Sequence, residues 1–220
     1  MFIGHHALGL AAKRAAPRTS LGWLIAAPIF LDLVWPIFLL LGWEQVRVDP
    51  GNTAFTPLDF VSYPWSHSLA MATLWGILAG LLVARITRDR RGGIVVALLV
   101  VSHWFLDFAT HRADMPLYPG GPRLGLALWN SVPGTLVVEL LLFVAGLGLY
   151  LGATRPRDRV GTWSLVAYVV VLLIAYVGAF AGPPPPSVRA LAWTSLGLWL
   201  VPLWPRWFDR HRKEVDRGLA

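Results

Sequence analysis

GIVVALLVVSHWFLDFAT, residues 93–110, decides how this chain is read. The stretch approaches the roughly 20 residues that a helix needs to cross the hydrocarbon of a bilayer. Its first nine residues carry no polar side chain, yet its second half holds Ser102, His103 and Asp107, and His111 follows directly. Ionisable groups inside a spanning helix are costly and turn toward a bundle interior or a wet cavity. One segment therefore predicts both a membrane fold and a buried polar site.

Working outward, five more apolar stretches of similar length lie at residues 21–42, 65–84, 133–152, 162–181 and 188–208. With 56% hydrophobic and only 14% charged residues, the chain has too few charges to solvate an ordinary globular surface. The expectation is an all-α polytopic membrane bundle of about six transmembrane helices, one integral membrane domain over residues 1–220. Residues 1–152 hold the titratable half, and residues 153–220 read as hydrophobic scaffold helices. No 20–50-residue repeat and no inverted pair of broken helices marks a transporter pseudo-symmetry. The chain has no cysteine, which excludes disulfides, thiolate ligands and a cysteine nucleophile.

The net charge of +7 is placed by topology. Of the 19 Lys and Arg, only Arg47, Arg112, Arg123 and Arg189 fall on one side of the six spans. The rest precede the first span, follow the second and fourth, or close the chain. Basic residues concentrate in cytoplasmic loops, so the start of the first span and the C-terminus are both expected in the cytoplasm. This distribution speaks against nucleic acid as a partner and for membrane lipid. Residues 1–12 lack the order of a signal peptide, because Lys13 and Arg14 follow the apolar stretch. Too short to cross, they are expected to re-enter the membrane or lie at its interface as a short helix.

His103, Asp107 and His111 are spaced i, i+4, i+8, which lines them along one helical face with neighbouring Cβ atoms about 5–6 Å apart. Asp32 lies near the middle of the first span, where an unpaired Asp costs about 2.5–3.5 kcal/mol. His67 opens the second. At about 1.5 Å per residue, a re-entrant N-terminal helix brings His5 to a depth of about 12 Å, near the level of Asp32 and His103. His5, Asp32, His67, His103 and Asp107 are thus the candidate metal ligands. The metal is divalent; imidazole with carboxylate suits Zn first, with Mn and Fe(II) as alternatives. His111 and Asp107 are the candidate catalytic groups. A lone intramembrane His or Asp more often bridges helices by a hydrogen bond, and that plain reading is preferred for His6. His211 reads as solvated in the basic tail, and Arg112 as a loop charge. Glu139, early in the fourth span, has no sequence-local partner.

Gly4-His5, Leu31-Asp32, His67-Ser68 and Ser102-His103 to Asp107 occur in that order. In this the chain resembles the bacterial inner-membrane metal-dependent hydrolase family over residues 1–139. It is more remotely similar to zinc-dependent phospholipase C in its order of His, Asp, His and His-x-x-x-Asp. Tyr63-Pro64-Trp65-Ser66 stands where that family usually has His-Arg ahead of its Thr-His-Ser stretch. The resemblance implies a multi-pass inner-membrane hydrolase acting on a lipid or lipid-linked (phospho)ester. Two other functions fit the residues: a proton- or metal-ion-coupled transporter using the Asp/His chain, and a non-catalytic membrane assembly protein.

Overall fold

A computed structural model describes residues 1–215 of the chain. Its helices are α1 (Ile3–Ala12), α2 (Leu21–Ala26), α3 (Phe30–Leu40), α4 (Pro64–His67), α5 (Leu69–Thr87), α6 (Arg90–Thr110), α7 (Val132–Ala153), α8 (Arg159–Ala181), α9 (Val188–Ser195) and α10 (Leu203–Asp209). Short 3-10 turns occupy Leu128–Asn130 and Leu196–Leu200. Three antiparallel strand pairs join the loops: β1 (Gln45–Val48) with β2 (Leu58–Ser62), β3 (Met115–Pro116) with β4 (Arg123–Leu124), and β5 (Thr154–Pro156) with β6 (Arg212–Glu214). The protein is an all-α membrane bundle, as its hydropathy predicts.

Among the described residues, four helices are long and apolar enough to cross a membrane unbroken: α5, α6, α7 and α8. Side-chain caps fix the first turns of all four, from Ser68, Asp89, Ser131 and Asp158. The first and last of the six expected spans are interrupted instead. The first breaks at residues 27–29, where Pro28 has no N–H to give and Ile29 leaves helical geometry at φ −105°, ψ 8°. The last runs through α9, a 3-10 turn and α10, with Pro202 and Pro205 at the second junction. The two interrupted segments lie against each other, α2 on α10 and α3 on α9. A pair of broken helices is therefore present where the sequence alone suggested none. Non-helical backbone at such a depth is tolerated because neighbouring helices satisfy or enclose it.

Helix α1 is the short N-terminal helix, almost wholly buried against α7, α2 and α6. Glu139 of α7 holds its start, one carboxylate oxygen accepting the N–H groups of Phe2 at 2.8 Å and Gly4 at 3.1 Å. An acid at a helix N-terminus meets orphan donors and the positive end of the helix dipole. Farther along, the α1 backbone rests directly on Gly146, where a Cβ would come within 2.3 Å of the Ala7 carbonyl oxygen.

Polarity runs opposite to that of a soluble domain. Leu81, Ile94, Leu98, Leu141, Val144 and Ile174 are exposed around the long helices, whereas His5, His67, His103, Asp107 and Glu139 are buried. Hydrocarbon outside and titratable groups inside is the arrangement a bilayer imposes. Gly146→Val should wedge α1 off α7 at a cost of about 1–3 kcal/mol. Thermal unfolding in detergent checks this against Gly148→Val, whose added Cβ meets nothing within 4 Å and which should be close to neutral.

Candidate metal centre

Four elements deliver the polar cluster. Helix α6 supplies His103 and Asp107 from successive turns and continues to the His111 amide, which bonds the Asp107 carbonyl at 2.7 Å. Asp32 stands in the first turn of α3, just past the break, His67 ends α4, and His5 comes from α1. His5, His103 and Asp107 each offer a ligand atom within 4.8 Å of the others, and so do Asp32, His67 and His103. The two triads share His103. All five sequence-predicted ligands meet at one place.

Asp107 is the hub. Its Oδ1 lies 3.0 Å from His5 Nε2, and its Oδ2 lies 3.0 Å from His103 Nε2 and 3.5 Å from His111 Nε2. The Met1 amino group also contacts Oδ1. Asp32 Oδ1 is 3.5 Å from His67 Nε2 and 3.9 Å from His103 Nε2. The His5 and His103 rings stack, with centroids 3.9 Å apart and planes within 3°. Among the described residues, no Lys or Arg side chain pairs with Asp32 or Asp107.

Second partners set the tautomers. His103 Nδ1 sits 2.8 Å from the Pro28 carbonyl, which can only accept, so Nδ1 carries a proton and Nε2 is the nitrogen left to face the acids. His67 Nδ1 donates to Ser66 Oγ at 2.6 Å, and that hydroxyl donates on to Glu44 Oε2 at 2.6 Å. His111 Nδ1 donates to Asp114 Oδ1 at 3.0 Å. Three imidazoles therefore donate from Nδ1 and turn Nε2 toward two carboxylates, the outer arrangement that metal-bound histidines adopt. The His103 nitrogen is the sharpest case. Buried and close to both acids, Nε2 makes no aligned hydrogen bond. Either a proton or a metal ion on Nε2 relieves its approach to the two carboxylates, and a donor set of imidazole and carboxylate is one that a divalent ion accepts.

Several outer residues gave no sequence signal as site members. Glu44 comes from the loop after α3, its Oε1 accepting the amides of Trp65 at 2.8 Å and Ser66 at 2.7 Å. Burial pushes its carboxyl up, and the bonds from Ser66 and Trp65 oppose that rise. Tyr63 donates to Asp114 at 2.7 Å. Only Asp114 and Ser66 were locally visible, three residues after His111 and one before His67. Other residues fall outside the cluster. Glu139 serves α1, His6 bonds the Tyr168 hydroxyl at 2.8 Å, Arg112 pairs with Asp59 at 3.0 Å, and His211 pairs with Asp158 at 2.7 Å.

A cavity of about 210 Å³ opens beside the cluster. Asp32, His67, Asp107 and His111 form its polar floor, under walls that include Trp35, Phe55, Phe60 and Trp129. Ala179 of α8, Ser195 of α9 and Leu198 also line it, so the last two expected spans contribute to the cavity as well as to the scaffold.

Fold and cluster together define a polytopic membrane protein with a buried His/Asp centre. Residues 48–181 match the model of the family described as YdjM inner membrane protein, and the chain belongs to that bacterial inner-membrane family. The matched region holds His67, His103, Asp107 and His111, while His5 and Asp32 precede it. Comparison with curated proteins and with solved structures gives no match. Ser66→Ala removes the acceptor that fixes His67 and should weaken divalent-metal affinity about 10–100-fold, as loss of such partners does elsewhere. Chelator competition measures it, and an unchanged affinity would contradict the Glu44–Ser66–His67 relay.

Proposed function

We propose that the chain is a membrane-embedded metal-dependent hydrolase acting on a lipid or lipid-linked phosphoester, with its basic end in the cytoplasm. The observation that carries the reading is His103 Nε2, without an aligned hydrogen bond and facing the Asp32 and Asp107 carboxylates beside an aromatic-walled cavity. His5, Asp32, His67, His103 and Asp107 would hold the ion, with Zn the first choice and Mn or Fe(II) the alternatives. A bound divalent metal supplies a water of lowered pKa and a positive charge to polarise a phosphoryl oxygen.

His111 has the geometry of the proton carrier. His111 lines the cavity and Asp114 accepts from its Nδ1, so a proton taken at Nε2 from the attacking water would leave an imidazolium beside a carboxylate. The same nitrogen then returns the proton to the departing oxygen. Trp35, Phe55, Phe60 and Trp129 exclude bulk water and suit the apolar part of a substrate near its headgroup. The family resemblance in the motifs points the same way.

A second reading, a metal-ion or proton-coupled transporter, gains support from the paired interrupted helices, because broken helices often frame transport sites. Against it, the described part of α8 to α10 offers no acid or histidine deep in the bundle beyond the helix ends.

His103→Ala should strip the metal from purified protein and abolish hydrolysis of a panel of phospholipids and lipid-linked diphosphates. His111→Ala should keep the metal and lower kcat about 10²–10⁴-fold. Elemental analysis beside single-turnover kinetics separates the two variants. Hydrolysis that persists in His103→Ala, or metal-dependent flux in proteoliposomes without hydrolysis, would overturn the hydrolase reading.

A further inference from the structure

The end of the bundle where α6 begins, opposite to His111, carries a second and larger concavity of about 740 Å³. It lies where the loop after α1, the end of α5, the β5–β6 pair and α10 come together. Two of its basic side chains are already committed. Lys13 pairs with Asp209 at 2.6 Å, and that carboxylate also accepts the Leu21 amide at 3.0 Å and the Tyr150 hydroxyl at 3.3 Å. Arg212 is buried, donating to Thr154 Oγ1 at 3.0 Å and the Gly161 carbonyl at 2.7 Å above the Tyr150 ring.

Arg18, Arg157, Arg206, Arg210 and Lys213 also line the cleft, all exposed and none paired with a carboxylate among the described residues. The one further acid in the lining, Glu214, cannot balance them. A bias of basic residues toward one membrane face requires only that such charges lie near that face. It does not require segments far apart in sequence to aim them into one concavity, where like charges repel and the field is focused. Trp23 and Ile86 line the same cleft. A Trp at the end of a membrane segment marks the headgroup level.

Unpaired cationic groups together with an interfacial Trp and an aliphatic side chain in one cleft match a ligand that is anionic at one end and hydrocarbon at the other. We propose that this cleft binds the headgroup of an anionic phospholipid, with the phosphodiester on the arginines and the acyl chains leaving past Trp23 and Ile86. A free phosphate shares the first half of this chemistry and would leave Trp23 and Ile86 unused. The site is separate from the His/Asp centre and does not depend on hydrolysis.

Native mass spectrometry of the full-length protein, equilibrated with cardiolipin or with phosphatidylcholine, tests it. The wild type should retain cardiolipin in preference, and the triple variant Arg18→Gln, Arg157→Gln, Arg210→Gln should lose about a hundredfold in that preference. Arg189→Gln, at the other end of the bundle, should behave as wild type. Should the triple variant fail to fold, the wild-type chain supplies the second readout, because added salt should release cardiolipin and leave phosphatidylcholine retention unchanged. Equal retention of both lipids by the wild type, a triple variant that folds and keeps its cardiolipin, or calorimetric binding of inorganic phosphate without lipid preference would each overturn the proposal.

Discussion

Asp107 cannot sit ionised in the middle of an apolar bundle without compensation, and the architecture around it follows from that constraint. Its two oxygens are met by imidazoles from α1 and α6. His103 also approaches Asp32 and so joins the first turn of α3 to α6. Reaching that point from α1 requires a half-helix inside the bundle. Glu139 anchors its start, and Gly146 lets its backbone settle on α7.

The break in the first span has the same logic. If α2 and α3 were continuous, the Pro28 carbonyl would lie inside a regular helix. The interruption leaves it free to accept from His103, which fixes the ring and aims Nε2 at the acids. A feature that costs regular hydrogen bonds thus orients a site residue, a common use of irregular backbone within a membrane. Around this inner shell the β1–β2 loop, Glu44, Ser66 and Asp114 form an outer one. These side chains are buried as well, and their hydrogen bonds hold His67 and His111 in their tautomers.

Much of this was legible in the sequence. Helical periodicity placed His103, Asp107 and His111 on one face, and the rise per residue put His5 and Asp32 at compatible depths. The first argument succeeds because α6 is a regular helix, whereas the depth of Asp32 was counted across a break that the rise per residue does not describe. Hydropathy, by contrast, does not separate Pro28, where the helix breaks, from Pro36, which α3 accommodates. The two interrupted spans therefore read as continuous. Glu44 and Glu139 were opaque for another reason: the amides they accept lie 21–22 and 135–137 residues away. Neither distance leaves a periodic trace. Asp114 could have been read from its i+3 offset to His111, had the chain's turn after α6 been anticipated.

The central claim is that the buried imidazoles and carboxylates enclose a cation. X-ray absorption at the edge of the metal that accompanies the purified protein tests it most directly. The account predicts a first shell of nitrogen and oxygen only, with the outer-shell scattering of at least two imidazoles, and loss of the metal edge in His103→Ala. A protein that carries no metal after purification and takes up none on titration, or a metal whose spectrum lacks imidazole, would contradict it.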